Sequence, residues 1–516
     1  MSLDPSSLLH GLTRRITVLL LAATALFGIA HIAFLPPWEG FDETAHWSYV
    51  QELADTGHGP RYGVDRLSAD LAAYGGPMAY GAQAPYDLAG RATYRGYRRA
   101  GAPAILGGPT HYAPGADLNW QAQHPPLYYA LLTPVYRAAH GLGWIDHLMV
   151  LRLVSFALAW SGLALGVWGA VRWGAPWTGP ILAAWPFVVP QFFPEFARLG
   201  NDSLCLLLVS GAWVVLLKIL RGQGGWGVAA GLGALLGAGL LTKALFVPIC
   251  AGVGLVLLAH WWMTGRRPVV LGQAAAAGLL AIAIGGWWYL DRQMHTGSLI
   301  GSDEFIRLNQ AGGLARLGQG VTVPALLRGF AVIPATFVWA GTWSLARLPE
   351  WLLLPLLAMV AVVLVDYARG LKRDDLAGLA PLALALPILA GLFYHVLVNL
   401  AGVGAGTPGW YLHILAAPLG LAMARGWRRP RLLTALTAYT ALYTAAAWAF
   451  QLSMFSGCAV KDGGKHYALT VAGCFVAPDV LGRLGHPLLG AACLAAGVIL
   501  AGLAAFKVLS GTKSSA

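Results

Sequence analysis

The segment FLPPWEGFDETAHWSYVQELADTGHGP, residues 34–60, follows the first long apolar run of the chain. The whole chain of 516 residues has 22 acidic residues, and several of them stand in this segment: Glu39, Asp42, Glu43, Glu52 and Asp55. The proline pair at 36 and 37 ends the preceding helix, because proline lacks the backbone N–H that a helix needs. Charges kept at a membrane boundary indicate a functional site. Acids that open a helix, where they interact favourably with its dipole, are the structural alternative.

The composition excludes an ordinary soluble protein. Hydrophobic residues make up 57% of the chain and charged residues 11%, whereas soluble domains average about 25% charged residues. Apolar segments fill most of the length, which predicts an all-α polytopic membrane protein with a single membrane domain over residues 1–516. The 66 glycines suit close packing of helices in lipid. We attribute the net charge of +12 to a basic cytoplasmic face and expect no nucleic-acid partner.

Apolar segments recur along the whole chain. They are 16–35, 125–140, 148–171, 177–194, 203–217, 226–241, 244–263, 269–290, 350–365, 376–400, 410–424, 432–453 and 487–506. The first is too long for the apolar part of a signal peptide and is interpreted as a retained span. Segment 125–140 is interpreted as re-entrant or interfacial, because counting it as a span reverses every later orientation. The sequence therefore predicts about 11–13 transmembrane helices.

Charge placement predicts the orientation. Arginine and lysine are concentrated in short loops and in the C-terminal tail: Arg172, Lys218, Arg221, Arg266, Arg267, Arg369, Lys372, Arg373, Arg425, Arg428, Arg429, Arg431, Lys507 and Lys513. The positive-inside rule places these loops and both termini in the cytoplasm of a bacterial inner membrane. The long loops 36–124, 291–349 and 454–486 then lie on the periplasmic side. We expect the first two to hold small amphipathic helices at the membrane surface.

The cysteines agree with this orientation. Cys458 and Cys474 bracket a polar outer loop, and the oxidising outer compartment favours a disulfide between them over two free thiols. Cys205, Cys250 and Cys493 lie in apolar segments and are expected to be packing residues. Neither spacing nor neighbours indicate a zinc site.

The predicted outer face brings acids and cations together. In a helix over 42–55, Asp42, His46 and Tyr49 share one face. Further candidates stand near the ends of apolar segments: His124, Arg198, Asp202, Lys243 and Arg292. A carboxylate can act as general base on a hydroxyl or amine, and the cations can bind a phosphate leaving group. Sugar transfer from a polyprenyl-phosphate carrier needs these groups.

Four motifs stand in order along the chain: PPWEGFDETAHWSYVQELADTGHGP at 36–60, QHPPLYY at 123–129, Arg152 in VLRLVSFALAW at 150–160, and NDS at 201–203. Together they resemble the motifs of GT-C-class glycosyltransferases that use lipid phosphates, such as protein O-mannosyltransferases and the aminoarabinose transferase of lipid A. The resemblance implies a GT-C-type helical bundle with periplasmic loop helices. One departure is Trp410-Tyr411 in GTPGWYLHIL, where relatives often carry Arg-Tyr. The phosphate contact of that arginine must then come from elsewhere.

The resemblance also implies residue roles. Asp42 would be the general base or orient the acceptor, with Glu43 in support. His124 would lie beside the donor phosphate, and Asp202 would be a second acid of variable role. Arg152 is expected to form an ion pair within the bundle.

The other candidates rest on charge and sidedness alone. Arg198, Lys243 and Arg292 are expected at the phosphate, and contact with lipid headgroups is the alternative for these three. Helix capping is the alternative for Asp202. His46 is either a metal ligand or part of an amphipathic helix. Three acids of the opening segment are expected in solvent: Glu39, Glu52 and Asp55.

The sequence thus predicts a membrane glycosyltransferase. It would move a sugar from a polyprenyl phosphate to an envelope acceptor (lipid, polysaccharide or protein) at the periplasmic face, with inversion. No cofactor is required if lysine and arginine supply the positive charge, and a divalent metal is the alternative. Two other functions remain open: a transporter or flippase for a lipid-linked sugar, and a polysaccharide polymerase or ligase with a diphosphate-linked donor.

Overall fold

The computed structural model describes residues 5–79, 93–301, 303–318, 321–345, 348–402, 408–461, 467–468 and 474–513. Nearly all regular structure in these ranges is helical, with two short pairs of strands. The chain is an all-α polytopic membrane protein, as its composition predicts.

One long helix and a folded first loop form the N-terminal part. The elements are α1 (Pro5–Phe34), α2 (Glu43–Thr56), β1 (Arg66–Ser68), α3 (Asp70–Ala73), α4 (Tyr94–Arg99), β2 (Pro114–Leu118), a 3₁₀ helix at Trp120–Gln123, and α5 (Leu127–Ala138). The strands β1 and β2 pair antiparallel. Helix α5 has 12 residues, fewer than the roughly 20 that span a bilayer. Its length agrees with an interfacial or re-entrant segment.

The middle of the chain contains most of the long helices. They are α6 (Trp144–Trp173), α7 (Thr178–Ala183), α8 (Trp185–Val188), α9 (Phe192–Phe196), α10 (Asp202–Leu220), α11 (Trp226–Leu240), α12 (Phe246–Met263) and α13 (Pro268–Thr296). Prolines at 176, 180, 186, 190 and 194 interrupt the apolar segment 177–194, because proline breaks the helical hydrogen-bond ladder. The three short helices α7, α8 and α9 are the result.

The C-terminal part alternates long helices with short ones. The elements are α14 (Asp303–Gln310), a 3₁₀ helix at Gly313–Arg316, α15 (Val323–Val338), a 3₁₀ helix at Glu350–Leu353, α16 (Leu354–Gly370), α17 (Leu376–Leu400), a 3₁₀ helix at Gly409–Leu415, α18 (Ala416–Gly426), α19 (Pro430–Phe455), β3 (Val460–Lys461), β4 (Tyr467–Ala468), α20 (Pro478–Leu484) and α21 (Pro487–Lys513). Strands β3 and β4 pair antiparallel.

Eight helices in the described part of the chain are long and apolar enough to cross a membrane. They lie at Gly11–Phe34, Trp144–Trp173, Asp202–Leu220, Phe246–Met263, Pro268–Thr296, Glu350–Gly370, Leu376–Leu400 and Pro487–Lys507. Segments 177–194, 226–241 and 410–424 form shorter or interrupted helices, and 432–453 lies in α19, which is not among the eight. The chain is a multi-pass membrane protein, and the count of 11–13 crossings stays a prediction.

Small residues allow the long helices to approach closely. The main helix pairs are α1 with α21, α6 with α10, α11 with α13, and α12 with α17. A Cβ at Gly162 on α6 would lie 2.8 Å from the Cα of Leu207 on α10, and one at Gly285 on α13 would lie 2.7 Å from the carbonyl oxygen of Gly237 on α11. At these crossings backbone packs against side chain or backbone without room for a methyl group, as in other membrane helix pairs.

The first loop has its own core, which corrects two expectations. Helix α2 is buried along most of its length, so it is covered by the loop and is not a surface helix. Glu39 is fully buried and Glu52 is 6% exposed, whereas both were expected in solvent. Asp55 is exposed, as expected. Spacing along the chain could not distinguish these acids, because the covering segments come from distant parts of the sequence.

A disulfide joins Cys458 to Cys474, whose Cα atoms lie 5.7 Å apart. Cys458 is packed in a small core with Tyr94 of α4, Phe455 of α19 and Leu481 of α20. This core packs the segment around Cys458 against the first loop. Most residues enclosed by the disulfide lie outside the described residues.

Candidate active site

A large cavity of about 710 Å³ lies between the first loop and helices α10, α12, α14 and α17. The structure brings most of the predicted site residues into its lining: Asp42, His46, His124, Arg198, Asp202 and Lys243. These residues come from separate parts of the chain, between positions 42 and 243. The cavity lining, as far as the structure describes it, does not include the predicted site residues Glu43 and Arg292.

Asp42 has an unusual backbone conformation. It stands directly before α2 with φ of 56° and ψ of 14°, in the left-handed region, and its side chain makes no capping hydrogen bond to the helix. Such a conformation is costly for a residue other than glycine and is concentrated at functional sites. Helix capping therefore does not explain this acid.

The carboxylate of Asp42 is held at the cavity wall by an indole. Nε1 of Trp120 donates a hydrogen bond of 3.0 Å to Oδ1 of Asp42. Burial raises the pKa of Asp42 above its ordinary 3.8, and the charge of Arg198, the Trp120 bond and the charge of Lys243 act against this rise. A carboxylate with a raised pKa, oriented by one donor, is suited to accept a proton from a bound acceptor.

Buried charges form a cluster beside Asp42. Nη2 of Arg198 lies 2.6 Å from Oε1 of Glu195 and 3.0 Å from Oδ2 of Asp202. Nζ of Lys243 lies 2.8 Å from both carboxylate oxygens of Asp202. All four side chains are less than a tenth exposed, so Arg198 and Lys243 do not lie where lipid headgroups reach them. The sequence analysis missed Glu195, whose spacing of three from Arg198 was the available signal.

Lys243 reaches this cluster through a tight turn between two helices. Helix α11 ends at Leu240, and the backbone N–H groups of Thr242 and Lys243 bond to the carbonyl oxygen of Gly239. The turn directs Lys243 toward Asp202 at the start of α10. Its Nζ also lies 4.5 Å from the centre of the Tyr411 ring, which stabilises the ammonium charge by a cation–π contact.

The two histidines belong to a column of stacked rings. The rings of His46 and His124 are nearly parallel, with centres 6.4 Å apart. His46 Nδ1 shares a hydrogen bond of 2.9 Å with the hydroxyl of Tyr129. The ring of Tyr129 stacks on the ring of Tyr49, with centres 3.6 Å apart. The prediction that His46 and Tyr49 share a helix face agrees with this arrangement.

Both histidines are uncharged at neutral pH. Burial, followed by the charge of Lys243, lowers the pKa of His124 to about 3. Burial likewise lowers the pKa of His46 well below 6.5. They can therefore offer hydrogen bonds but not fixed positive charge. The cations in the described lining of the cavity are Arg198, Lys243 and Arg307.

Glu43 connects the first loop to the bundle. Its carboxylate pairs with the guanidinium of Arg152 at 2.6 and 2.7 Å and accepts the backbone N–H of Leu199 at 3.0 Å. Arg152 also donates to the carbonyl oxygens of Leu35 and Pro36. Arg152 forms the ion pair expected for it. For Glu43 these contacts support a structural role in place of catalytic support for Asp42.

Arg292 lies apart from the cavity lining. Its guanidinium stands over the ring of Trp288 at 4.2 Å, and its Nε is 3.9 Å from Asp291. These contacts keep Arg292 at the end of α13. The phosphate contact predicted for Arg292 stays a prediction.

Aromatic residues of the cavity were the main omission of the sequence analysis. Trp120, Trp343, Trp410 and Tyr411 all line it. Trp410-Tyr411 was noted as a departure from related proteins, whereas Trp343 stood in a long loop without any local signal. Only the three-dimensional fold places these rings beside Asp42.

Part of the cavity lining is apolar. Helix α12 contributes Val247, Pro248 and Ala251 to it, and helix α17 contributes Ile388 and Leu392. This apolar part of the lining between α12 and α17 is the apolar slot. An apolar chain attached to a phosphate at Lys243 fits such a lining, because the slot and the charged cluster belong to one cavity.

The described residues contain no group of three or more His, Cys, Asp or Glu side chains placed to hold a metal ion. His46 is bonded to Tyr129 rather than to Asp42. The expectation that no metal is required stays a prediction.

No protein-family model and no curated protein matches this chain. Solved structures similar to it include ArnT from Cupriavidus metallidurans bound to undecaprenyl phosphate, with 13% identity and a TM-score of 0.47, covering 95% of this chain and 77% of that chain. The apo state of the same protein has 13% identity and a TM-score of 0.48, covering 93% and 76%. An Archaeoglobus fulgidus oligosaccharyltransferase has 12% identity and a TM-score of 0.43, covering 92% and 55%.

At such identities and TM-scores, no residue role and no substrate is transferred from these proteins to this chain.

Proposed function

We propose that this protein is a membrane glycosyltransferase that moves a sugar from a polyprenyl phosphate to an envelope acceptor at the periplasmic face of a bacterial inner membrane. One observation carries the proposal. A single cavity contains an oriented carboxylate at Asp42, the buried cations Lys243 and Arg198, and an apolar slot between α12 and α17. A lipid-linked donor needs a place for its tail, a positive site for its phosphate and a base for the acceptor.

The reaction assigns one task to each group. The oxygen or nitrogen of the acceptor attacks the anomeric carbon from the side opposite the phosphate and forms the new glycosidic bond. The bond between that carbon and the phosphate oxygen breaks, and its electron pair leaves with the polyprenyl phosphate. The acceptor proton passes to the carboxylate of Asp42. Attack in line with the leaving group inverts the anomeric configuration.

Lys243 is the residue proposed to stabilise the departing phosphate. A lysine in a largely enclosed site acts on developing negative charge more strongly than in water. Its partner Asp202 fixes its position, and Arg198 adds a second positive charge through the same carboxylate. His124 is placed to donate a hydrogen bond to the phosphate. No step of this scheme requires a metal ion or another cofactor.

The test is transfer by an Asp42→Asn variant in membranes supplied with radiolabelled undecaprenyl-phosphate sugars. Loss of a general base lowers a rate by about 10²–10⁴-fold, so we expect at least a hundredfold loss. Asp55→Asn is the matched control, because Asp55 is an acid of the same loop that is not in the described cavity lining, and it should transfer normally.

Other outcomes separate the alternatives. Full transfer by Asp42→Asn removes Asp42 as the base. If the wild-type protein moves lipid-linked sugar across the membrane of vesicles but shows no sugar transfer, the transporter is supported. Transfer only from diphosphate-linked donors supports a polymerase or ligase.

A further inference from the structure

The segment 340–344 is held in place by two buried polar side chains. Oε1 of Gln191 accepts the backbone N–H groups of Ala340 and Gly341, and Nε2 of Gln191 donates to the carbonyl oxygen of Gly341. Gln191 is fully buried. A segment between helices that is bonded this way has little freedom to move.

Glu39 holds the other end of this segment. Its carboxylate accepts the hydroxyls of Thr342 and Ser344 at 2.8 and 2.6 Å and the hydroxyl of Tyr94 at 2.7 Å. Its backbone carbonyl accepts the N–H of Trp343 at 2.8 Å. Glu39 thus bonds to the backbone of Trp343 and to the side chains of both residues that flank it. A buried carboxylate that accepts this many hydrogen bonds holds its partners in one fixed arrangement.

The anchored segment presents Trp343 to the cavity beside the proposed base. Trp343 and Asp42 line both the large cavity and a small crevice next to it. Phe41, the residue before Asp42, contacts Trp343 edge-on at 5.9 Å and stacks flat on Trp410 at 4.2 Å. Since Phe41 covers one face of Trp410, the remaining surface of that ring is what lines the cavity.

We propose that Trp343 and Trp410 form the subsite for the sugar ring of the donor, and that Glu39 is the positioning residue of this subsite. The inference rests on the proposed function and deepens it. A sugar attached to a phosphate at Lys243 has to lie within one ring's length of that lysine. Tyr411, which Lys243 faces, follows Trp410 directly, and Trp343 stands on the side of Asp42. Both indoles thus line the same cavity as the cation and the base.

The chemistry of the rings suits a sugar. One face of a sugar ring is formed by C–H groups, which carry slight positive charge and pack on the electron-rich face of an aromatic ring. The apolar slot accounts for the lipid tail and Lys243 for the phosphate. Neither explains why Trp343 and Trp410 line the cavity in addition to Trp120, which bonds to the carboxylate of Asp42.

The test compares two probes on purified protein in nanodiscs. One is undecaprenyl phosphate. The other is undecaprenyl phosphate carrying glucose, mannose or 4-amino-arabinose, whichever of the three binds most tightly. We expect wild type to bind the sugar-bearing probe more tightly than the bare one.

Variants of Trp343 and Trp410 should remove the preference for the sugar-bearing probe. Trp343→Ala and Trp410→Ala should weaken binding of the sugar-bearing probe by about tenfold, the value of a good ring contact, and leave the bare probe unaffected. Trp343→Phe should retain part of the preference. Lys243→Ala should weaken both probes alike, because both carry the phosphate.

Glu39→Gln tests positioning, with Glu52→Gln as its control. Both acids are buried in the first loop and neither is in the described cavity lining. Glu39 bonds to the segment that carries Trp343, whereas Glu52 interacts with Tyr112. Glu39→Gln should reduce the preference for sugar, whereas Glu52→Gln should not. A role confined to stability would lower the melting temperature and weaken both probes together.

The failures are distinguishable. If wild type binds neither probe, the proposed function fails. If it binds both equally, or if the tryptophan variants change both equally, the proposed function survives and the sugar subsite is overturned.

Discussion

At the scale of single residues, Asp42 unites three features: a left-handed backbone, a tryptophan donor on one carboxylate oxygen, and a place on the wall of a cavity with cations. Glu43, its neighbour, has a different environment, because Arg152 and backbone N–H groups occupy its carboxylate. Two adjacent acids thus have separate tasks. The sequence could name the pair but could not divide the roles, since Arg152 and Leu199, which bond to Glu43, are more than a hundred positions away.

The raised pKa of Asp42 predicts a pH profile for transfer. The base must be ionised, so the rate should fall on acidification, with a midpoint above the ordinary aspartate value of 3.8. The cause is burial, which disfavours the charged form. A rate profile between pH 4 and 8 measures this midpoint. A rate that is flat down to the ordinary value would contradict the assignment.

The ion pair of Glu43 predicts a large effect on stability. Glu43→Ala leaves the guanidinium of Arg152 buried without its carboxylate, which costs about 3–5 kcal/mol. Thermal unfolding of the purified protein should show this loss, and the double variant with Arg152→Met should recover part of it. Unchanged stability together with lost transfer would instead assign Glu43 to catalysis.

At the scale of elements, glycine and proline decide how the helices pair. Prolines divide the segment 177–194 into three short helices, and the last of them, α9, carries Glu195 to the charged cluster. Glycines permit the close pairs α6 with α10 and α11 with α13. Both effects follow from local chemistry, but the partner of each helix does not.

Two glycines of α13 provide a matched pair for a packing test. Gly285→Ala should destabilise the protein, because the new Cβ would stand 2.7 Å from the carbonyl oxygen of Gly237. Overpacking of this kind costs about 1–3 kcal/mol. Gly278→Ala, with open space at its Cβ, should be neutral or stabilising. Equal melting temperatures for the two variants would contradict the close packing of α11 on α13.

At the scale of the whole molecule, sidedness remains a prediction from charge. In this orientation the first loop faces the periplasm and the loop between α16 and α17 faces the cytoplasm. Asp55 and Arg373 are exposed residues of these loops. With the free cysteines replaced by alanine, Asp55→Cys should react with an impermeant maleimide added outside spheroplasts, and Arg373→Cys should react only after lysis. The reverse pattern would invert the topology and place the cavity in the cytoplasm.

The sequence by itself determined the membrane class, the helical content and most of the charged residues of the cavity. These follow from composition, segment length and the cost of charge near lipid, which are properties of short stretches. It could not predict that Glu39 is buried, that Glu43 is bound by Arg152, or that Arg292 lies apart.

The tertiary structure decided the rest. It alone brings Asp42, Lys243, Trp343 and Trp410 around one cavity. The physical reason is that a helical bundle sets distances between residues far apart in the chain through side-chain packing, and no short-range pattern in the sequence records which helices will meet.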